Sequence, residues 1–310
     1  MKAIIHIGTE KTGTTSIQEF LYKNRTSLNE NGFHFIQSPG KKNNRKIPAY
    51  CIDIEKEDEY FQLQGIKSKK QRLAFNEAFL NDFKLEMNSL PSSVHTVIFS
   101  SEHFHSRVTS VNEIKVLRNL LKCYFESFEI VCYVRHQSLV CESLYSTAIK
   151  FGHPYSFPEF LSLCEVNNIY YNYCEMLLNW RQIFNEDITV RPFNKVELLN
   201  NNLLDDFTSF LSKELIGKLN TNLNLKNESL NNTGLSLGLS LNKYLPTFSA
   251  KGDVYFVRYQ IRKVMMFMIK IIFKGKSRLM SENQKSKIHA AFKKCNKELQ
   301  QNFNMKNELE

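Results

Sequence analysis

Lys11 sits inside a turn of glycines and hydroxyls, Gly8-Thr9-Glu10-Lys11-Thr12-Gly13-Thr14-Thr15-Ser16, between the apolar run Ile4–Ile7 and a helical pattern. Backbone N–H groups at a helix start, the positive end of its dipole and a lysine charge together hold a phosphate. Gly8 and Gly13 let the backbone come close to the anion, and Thr14, Thr15 and Ser16 offer hydroxyl donors and an N-terminal cap. A second group lies at Tyr133-Val134-Arg135-His136-Gln137, where a predicted strand ends, with Ser143 eight positions beyond Arg135. That spacing is about two helical turns. A strand-tip arginine and a serine reaching back from the next helix can grip one phosphate from two sides; the plainer alternative is an arginine paired with a nearby acid. A third group, Ser101-Glu102-His103 with His105 close behind, supplies side chains able to take a proton.

Alternating strands and helices must position these groups. Helical spacing of Ile17, Phe20, Leu21 and Leu28 predicts a helix over about 14–29, and Phe33–Ile36 a second strand. Residues 38–70 are polar and lysine-rich, with Pro39, Gly40 and Pro48, and read as a surface insertion. A helix over about 71–88 precedes the strand Val94–Ser100. Another over 111–124 precedes the strand Phe128–Val134, apolar enough for a central parallel position. Further helices are expected over 138–150, 157–164 and 170–184, then a short strand Ile188–Arg191 stopped by Pro192. The pattern implies an α/β fold with a central parallel sheet flanked by helices, whose ligands bind outside the carboxyl ends of the strands. On an extended strand, Glu102 and His103 would point to opposite faces, so only one would face a given ligand.

Beyond about residue 200 the chain reads as mostly helical, with a polar connector over 220–232. We expect residues 1–245 to form the α/β domain and 246–310 a helical extension packed on it. Residues 253–274 are basic and strongly apolar at once. They read as a core helix with its cations at the rim, or as a segment lying on a membrane surface.

The chain has 310 residues, 42% of them hydrophobic and 23% charged, as in ordinary globular proteins. Its 41 basic and 31 acidic residues give a net charge of +10, which favours anionic partners without choosing among them. No basic-aromatic nucleic-acid module is evident, and nucleic acid is not expected as a partner. Seven cysteines without a C-x-x-C pair or zinc spacing read as reduced thiols of a cytoplasmic protein, with no metal site. No secretory signal or bilayer-spanning apolar run is seen.

Gly8 and Gly13 stand where a Walker A loop has its glycines, but Thr14 replaces the lysine that should follow. Instead, Lys-Thr-Gly-Thr-Thr at Lys11–Thr15 resembles the 5′-phosphosulfate loop of sulfotransferases that use 3′-phosphoadenosine 5′-phosphosulfate (PAPS). Arg135, seven residues and Ser143 resemble that family's clamp on the PAPS 3′-phosphate. Phe99-Ser100-Ser101-Glu102, Glu142-Ser143-Leu144-Tyr145-Ser146 and Val190-Arg191-Pro192-Phe193 look like the bacterial carbohydrate-type members. The resemblance spans about residues 1–245. It implies a P-loop-like fold and transfer of a sulfuryl group from PAPS to a hydroxyl or amine of a carbohydrate acceptor (a polysaccharide, oligosaccharide or lipid-linked glycan), without a metal. Lys11 would stabilise the leaving phosphate, Thr12, Gly13, Thr14, Thr15 and Ser16 would hold the 5′-phosphate, and Arg135 and Ser143 the 3′-phosphate. Glu102 would be the base, with His103 and His105 as rivals. Phe193 would stack on adenine, with Trp180 as a second candidate, and Asn227-Glu228-Ser229 resembles a later cofactor-contacting loop. The enzyme is expected to be cytoplasmic, or peripheral at the inner membrane face through 253–274. A kinase-like phosphotransferase and a non-catalytic glycan or nucleotide binder are the competing readings.

Overall fold

A computed structural model describes residues 1–223, 229–246 and 256–309. Five strands form one parallel sheet: β1 (Lys2–Gly8), β2 (Phe33–Phe35), β3 (Thr96–Ser101), β4 (Ser127–Val134) and β5 (Ile188–Pro192), in the order β2-β3-β1-β4-β5. The α/β architecture read from the sequence is therefore present, with helices on both faces. β1 is central because it is apolar on both sides: Ile5 and Ile7 face one core layer, Ile4 the other. Burying each such isoleucine stabilises the fold by about 1.5–3 kcal/mol. His6 interrupts the run yet is fully buried. Its Nδ1 pairs with Ser100 Oγ at 2.8 Å, and burial pushes its pKa down to about 3, so the ring is neutral.

The first predicted helix is two, Thr14–Lys23 and Arg25–Glu30. Asn24 breaks it and ties the joint to a distant segment through Nδ2, which donates to Asn220 O at 3.0 Å. The 38–70 segment is polar in composition but anchored by Ile47, Ala49, Cys51, Ile52 and Phe61, all buried on two short helices or just beyond one of them. Asn44 continues the sheet edge there, accepting from Ser100 N at 2.8 Å and donating its own N–H to Ser100 O at 3.1 Å.

The Glu282–Asn302 helix packs against the Gln137–Phe151 and Tyr173–Phe184 helices. Leu299, Phe303, Met305 and Leu309 enter the same apolar cluster as β1 and β4. A reciprocal amide pair, Gln137 with Asn296 at 2.8 and 3.1 Å, fixes the register. Six cysteines are buried thiols and Cys123 is exposed.

The Phe256–Ile272 helix differs from the core-helix expectation. Only Arg262 and Met266 are buried in it, while Val264, Phe267 and Ile272 are exposed. Arg262 donates inward to Asn242 Oδ1 at 3.0 Å and to Lys150 O at 2.7 Å, and Met266 packs on the same inward side, so the rest of the apolar residues face outward.

Candidate functional site

The three central strands end level with one another. Ile7 pairs with Ser101, and Gly8 with Tyr133. The next residues on each are the Thr9–Gly13 turn, Glu102 and, past Val134, Arg135. Side chains far apart in sequence thus leave the sheet at one edge, where parallel sheets bind ligands.

The turn is strained in a purposeful way. Lys11 has φ 71° and Gly13 φ 79°, both left-handed. For a lysine that backbone costs about 1–2 kcal/mol. A side chain at position 13 would add strain and bring its Cβ within 2.4 Å of Leu203 and 3.1 Å of Phe193. At position 8 a Cβ would lie 2.4 Å from Thr14 Cγ2. Thr12 Oγ1 donates to Thr9 O at 2.7 Å, Thr14 Oγ1 to the same carbonyl at 3.2 Å, and Thr9 Oγ1 to Tyr133 O.

These bonds correct part of the expectation. The hydroxyls of Thr12 and Thr14 brace the turn instead of facing a ligand, whereas Thr15 is exposed and Ser16 half-buried. Gly13, not a hydroxyl residue, occupies the cap position, and no side chain caps the Thr14–Lys23 helix. Among the described residues, no protein group accepts from the backbone N–H of Lys11, Thr12, Gly13, Thr14 or Thr15. Free N–H groups on a left-handed turn entering a helix form an anion nest.

Lys11 Nζ donates to Thr147 Oγ1, on the Gln137–Phe151 helix. Burial lowers its pKa, Arg135 lowers it further, and Glu10 and Glu102 raise it, so all four charges share one neighbourhood. Thr147 lies one turn beyond Ser143, and Lys150 nearly one turn further, on the same helix face. Lys150 is pushed down to about 8 by burial, Lys11 and Lys270. Arg135 is half-buried and makes no ion pair among the described residues; burial lowers its pKa, with the Tyr173 phenol opposing. The plainer alternative, an arginine committed to an acid, is not what the chain adopts.

Glu102 departs from the extended geometry. β3 ends at Ser101, and Glu102 is helical (φ −68°, ψ −17°), opening the short His103–Ser106 turn of helix. Glu102 and His103 are therefore not held to opposite faces: Oε1 lies 3.9 Å from His103 Nε2. Gln18 Nε2 donates to Glu102 Oε2 at 2.8 Å. Burial raises the Glu102 pKa against that bond. His103 is driven down to about 2 by burial and by Arg45 and Arg107, so it is a neutral ring.

His105 is buried, and its ring is committed to Tyr170. Its Nε2 pairs with Tyr170 O at 2.7 Å, and its ring lies 4.3 Å from that of Tyr170. Trp180 is also a core residue, fully buried and stacked on Phe184, and offers no face to adenine. Phe193 is half-buried and extends β5 by donating its N–H to Val134 O at 2.6 Å. It borders a cleft of about 740 Å³, together with Arg135, His136, Asn194 and the C-terminal Asn307–Leu309. Asn227 and Glu228 lie outside the described residues. Ser229 accepts from Gly275 N at 3.0 Å.

Sequence reading missed Gln18, Thr147 and Lys150. Extending the Arg135–Ser143 spacing by i+4 and i+7 along the same helix would have found the last two. Among the described residues, no group of three His, Cys, Asp or Glu is placed to hold a metal ion. No family model and no curated protein matches the chain. Among solved structures, the crystal structure of a sulfotransferase from Alicyclobacillus acidocaldarius is similar over 99% of this chain and 97% of that chain, at a TM-score of 0.47 and 11% identity.

Proposed function

We propose that this protein is a sulfotransferase that moves the sulfuryl group of PAPS to a hydroxyl or amine of a carbohydrate acceptor. The observation that carries the reading is the convergence of Lys11, Glu102 and Arg135 at the level ends of β1, β3 and β4. The free N–H groups of the turn, with Thr15 and Ser16, would hold the 5′-phosphate. Arg135 is an uncommitted cation beside the cleft that Phe193 borders, and would take the 3′-phosphate with Ser143.

In the reaction a bond forms between the acceptor oxygen or nitrogen and sulfur while the bond from sulfur to the 5′-phosphate oxygen breaks. Glu102 takes the acceptor proton; its raised pKa makes it a stronger base than an ordinary carboxylate. His103, neutral and disfavoured as a cation, is the weaker candidate. Lys11, held by Thr147 and steeped in low dielectric, meets the charge that grows on the leaving oxygen.

A thermal-shift comparison tests this reading. Adenosine 3′,5′-bisphosphate at about 100 times its dissociation constant should stabilise the protein by about 2.7 kcal/mol, raising Tm by several degrees. ATP with Mg²⁺ should do much less. Stabilisation by ATP·Mg²⁺ and none by the bisphosphate would move the assignment to a phosphotransferase.

A further inference from the structure

Nine large apolar residues of the Phe256–Ile272 helix are between 45% and 69% exposed, among them Val257, Val264, Phe267, Met268 and Ile272. At 100° per residue they fall within one half of the helix circumference, opposite the buried Arg262 and Met266. An exposed apolar face of this extent has a partner.

The charge around it identifies which. From residue 254 to 281 the chain has no Asp or Glu, but it carries Arg258, Lys263, Lys270, Lys274, Lys276 and Arg278 besides the buried Arg262. Lys263 and Lys270 lie along one border of the apolar face and Arg258 along the other, with Lys274, Lys276 and Arg278 just beyond the helix end. Two copies meeting through this face would bring like charges together, which disfavours self-association. No described helix is long and apolar enough to cross a bilayer. An apolar half-cylinder rimmed by cations suits a helix lying in the plane of an anionic membrane.

We propose that the Phe256–Ile272 helix docks this protein on the surface of an anionic lipid bilayer, with Val264, Phe267 and Met268 entering the acyl boundary. The helix that carries the docking face is bonded to the helix of the candidate site through its opposite side, where Arg262 donates to Lys150 O at 2.7 Å. Lys270 lies within electrostatic reach of Lys150, and Lys150 within reach of Lys11. The proposal stands without the sulfuryl-transfer reading, since it rests on this helix alone.

Sedimentation with vesicles tests it. The full-length protein should bind vesicles containing phosphatidylglycerol and bind neutral phosphatidylcholine vesicles at least about tenfold less. The triple variant Val264→Glu, Phe267→Glu, Met268→Glu should lose the binding while keeping its Tm, because all three side chains are exposed. A Lys263→Gln, Lys270→Gln variant should retain part of it, losing about fivefold per charge. The proposal is overturned if the wild type ignores anionic vesicles, or if the triple variant binds them like wild type. It is equally overturned if light scattering finds a dimer that the triple substitution dissolves, because the face would then belong to a second copy.

Discussion

Replacing Glu102 by glutamine is expected to lower the turnover of sulfuryl transfer by about 10²–10⁴-fold. Affinity for adenosine 3′,5′-bisphosphate should stay at the wild-type level, because in the proposed reaction Glu102 serves the acceptor side and not the nucleotide. Glutamine keeps the volume and can still meet Gln18, so the change removes the base without emptying the space. The pH profile provides a second readout. A base must be deprotonated to act, so turnover rises with pH through the Glu102 pKa, which burial places above the usual carboxylate range. That rising limb should vanish in Glu102→Gln. If the variant keeps near-wild-type turnover while His103→Ala loses it, the base is His103 and not Glu102.

Lys11→Ala should cost about 10²–10³-fold in kcat, the usual effect of removing one donor to a developing oxyanion. Its Nζ would meet charge that is absent from the bound substrate and develops as the sulfur–oxygen bond breaks, so kcat should fall more than KM rises. The wild-type enzyme should lose activity in alkali below the ordinary lysine range, because burial and Arg135 lower the Lys11 pKa. A Lys11→Arg enzyme should not recover it, since the longer fork cannot reproduce the contact with Thr147 in a left-handed turn. Rapid-quench measurement of a single turnover separates these effects. A Lys11→Ala enzyme with unchanged kcat would remove the lysine from the chemistry.

What the sequence disclosed follows from where each residue sits. The apolar runs ending at Gly8, Ser101 and Val134 are central strands, and their alternation with helices implies a parallel sheet whose carboxyl ends share one edge. Lys11, Glu102 and Arg135 were therefore legible as neighbours. Side-chain directions were not. The strand rule set Glu102 and His103 on opposite faces, yet β3 stops one residue earlier and Glu102 begins a helical turn. The sequence presents the threonines as donors to a ligand, but Thr12 and Thr14 give their hydrogens to the Thr9 carbonyl, and a bare glycine cap leaves the backbone N–H groups of the turn without protein acceptors among the described residues.

Other features depend on contacts across long stretches of chain, which no local pattern encodes. The Phe256–Ile272 helix is strongly apolar, and the grip of Asn242 and of the Lys150 carbonyl on Arg262, with the burial of Met266, holds one face inward. The 38–70 segment looked superficial because lysines and prolines dominate it. A few apolar residues and Asn44 dock it beside β3. Thr147 becomes a partner of Lys11 across 136 positions.

The central claim is that one nucleotide with two phosphates is gripped at two places, the turn and Arg135. Titration calorimetry of adenosine 3′,5′-bisphosphate and adenosine 5′-monophosphate into wild-type and Arg135→Ala protein tests it most directly. The wild type should favour the bisphosphate by about 10–100-fold, the value of a charge-assisted contact to the 3′-phosphate. Arg135→Ala should lose most of that preference, keeping only the part the Ser143 hydroxyl supplies. Equal binding of the two by the wild type, or a preference undiminished in Arg135→Ala, would contradict the account.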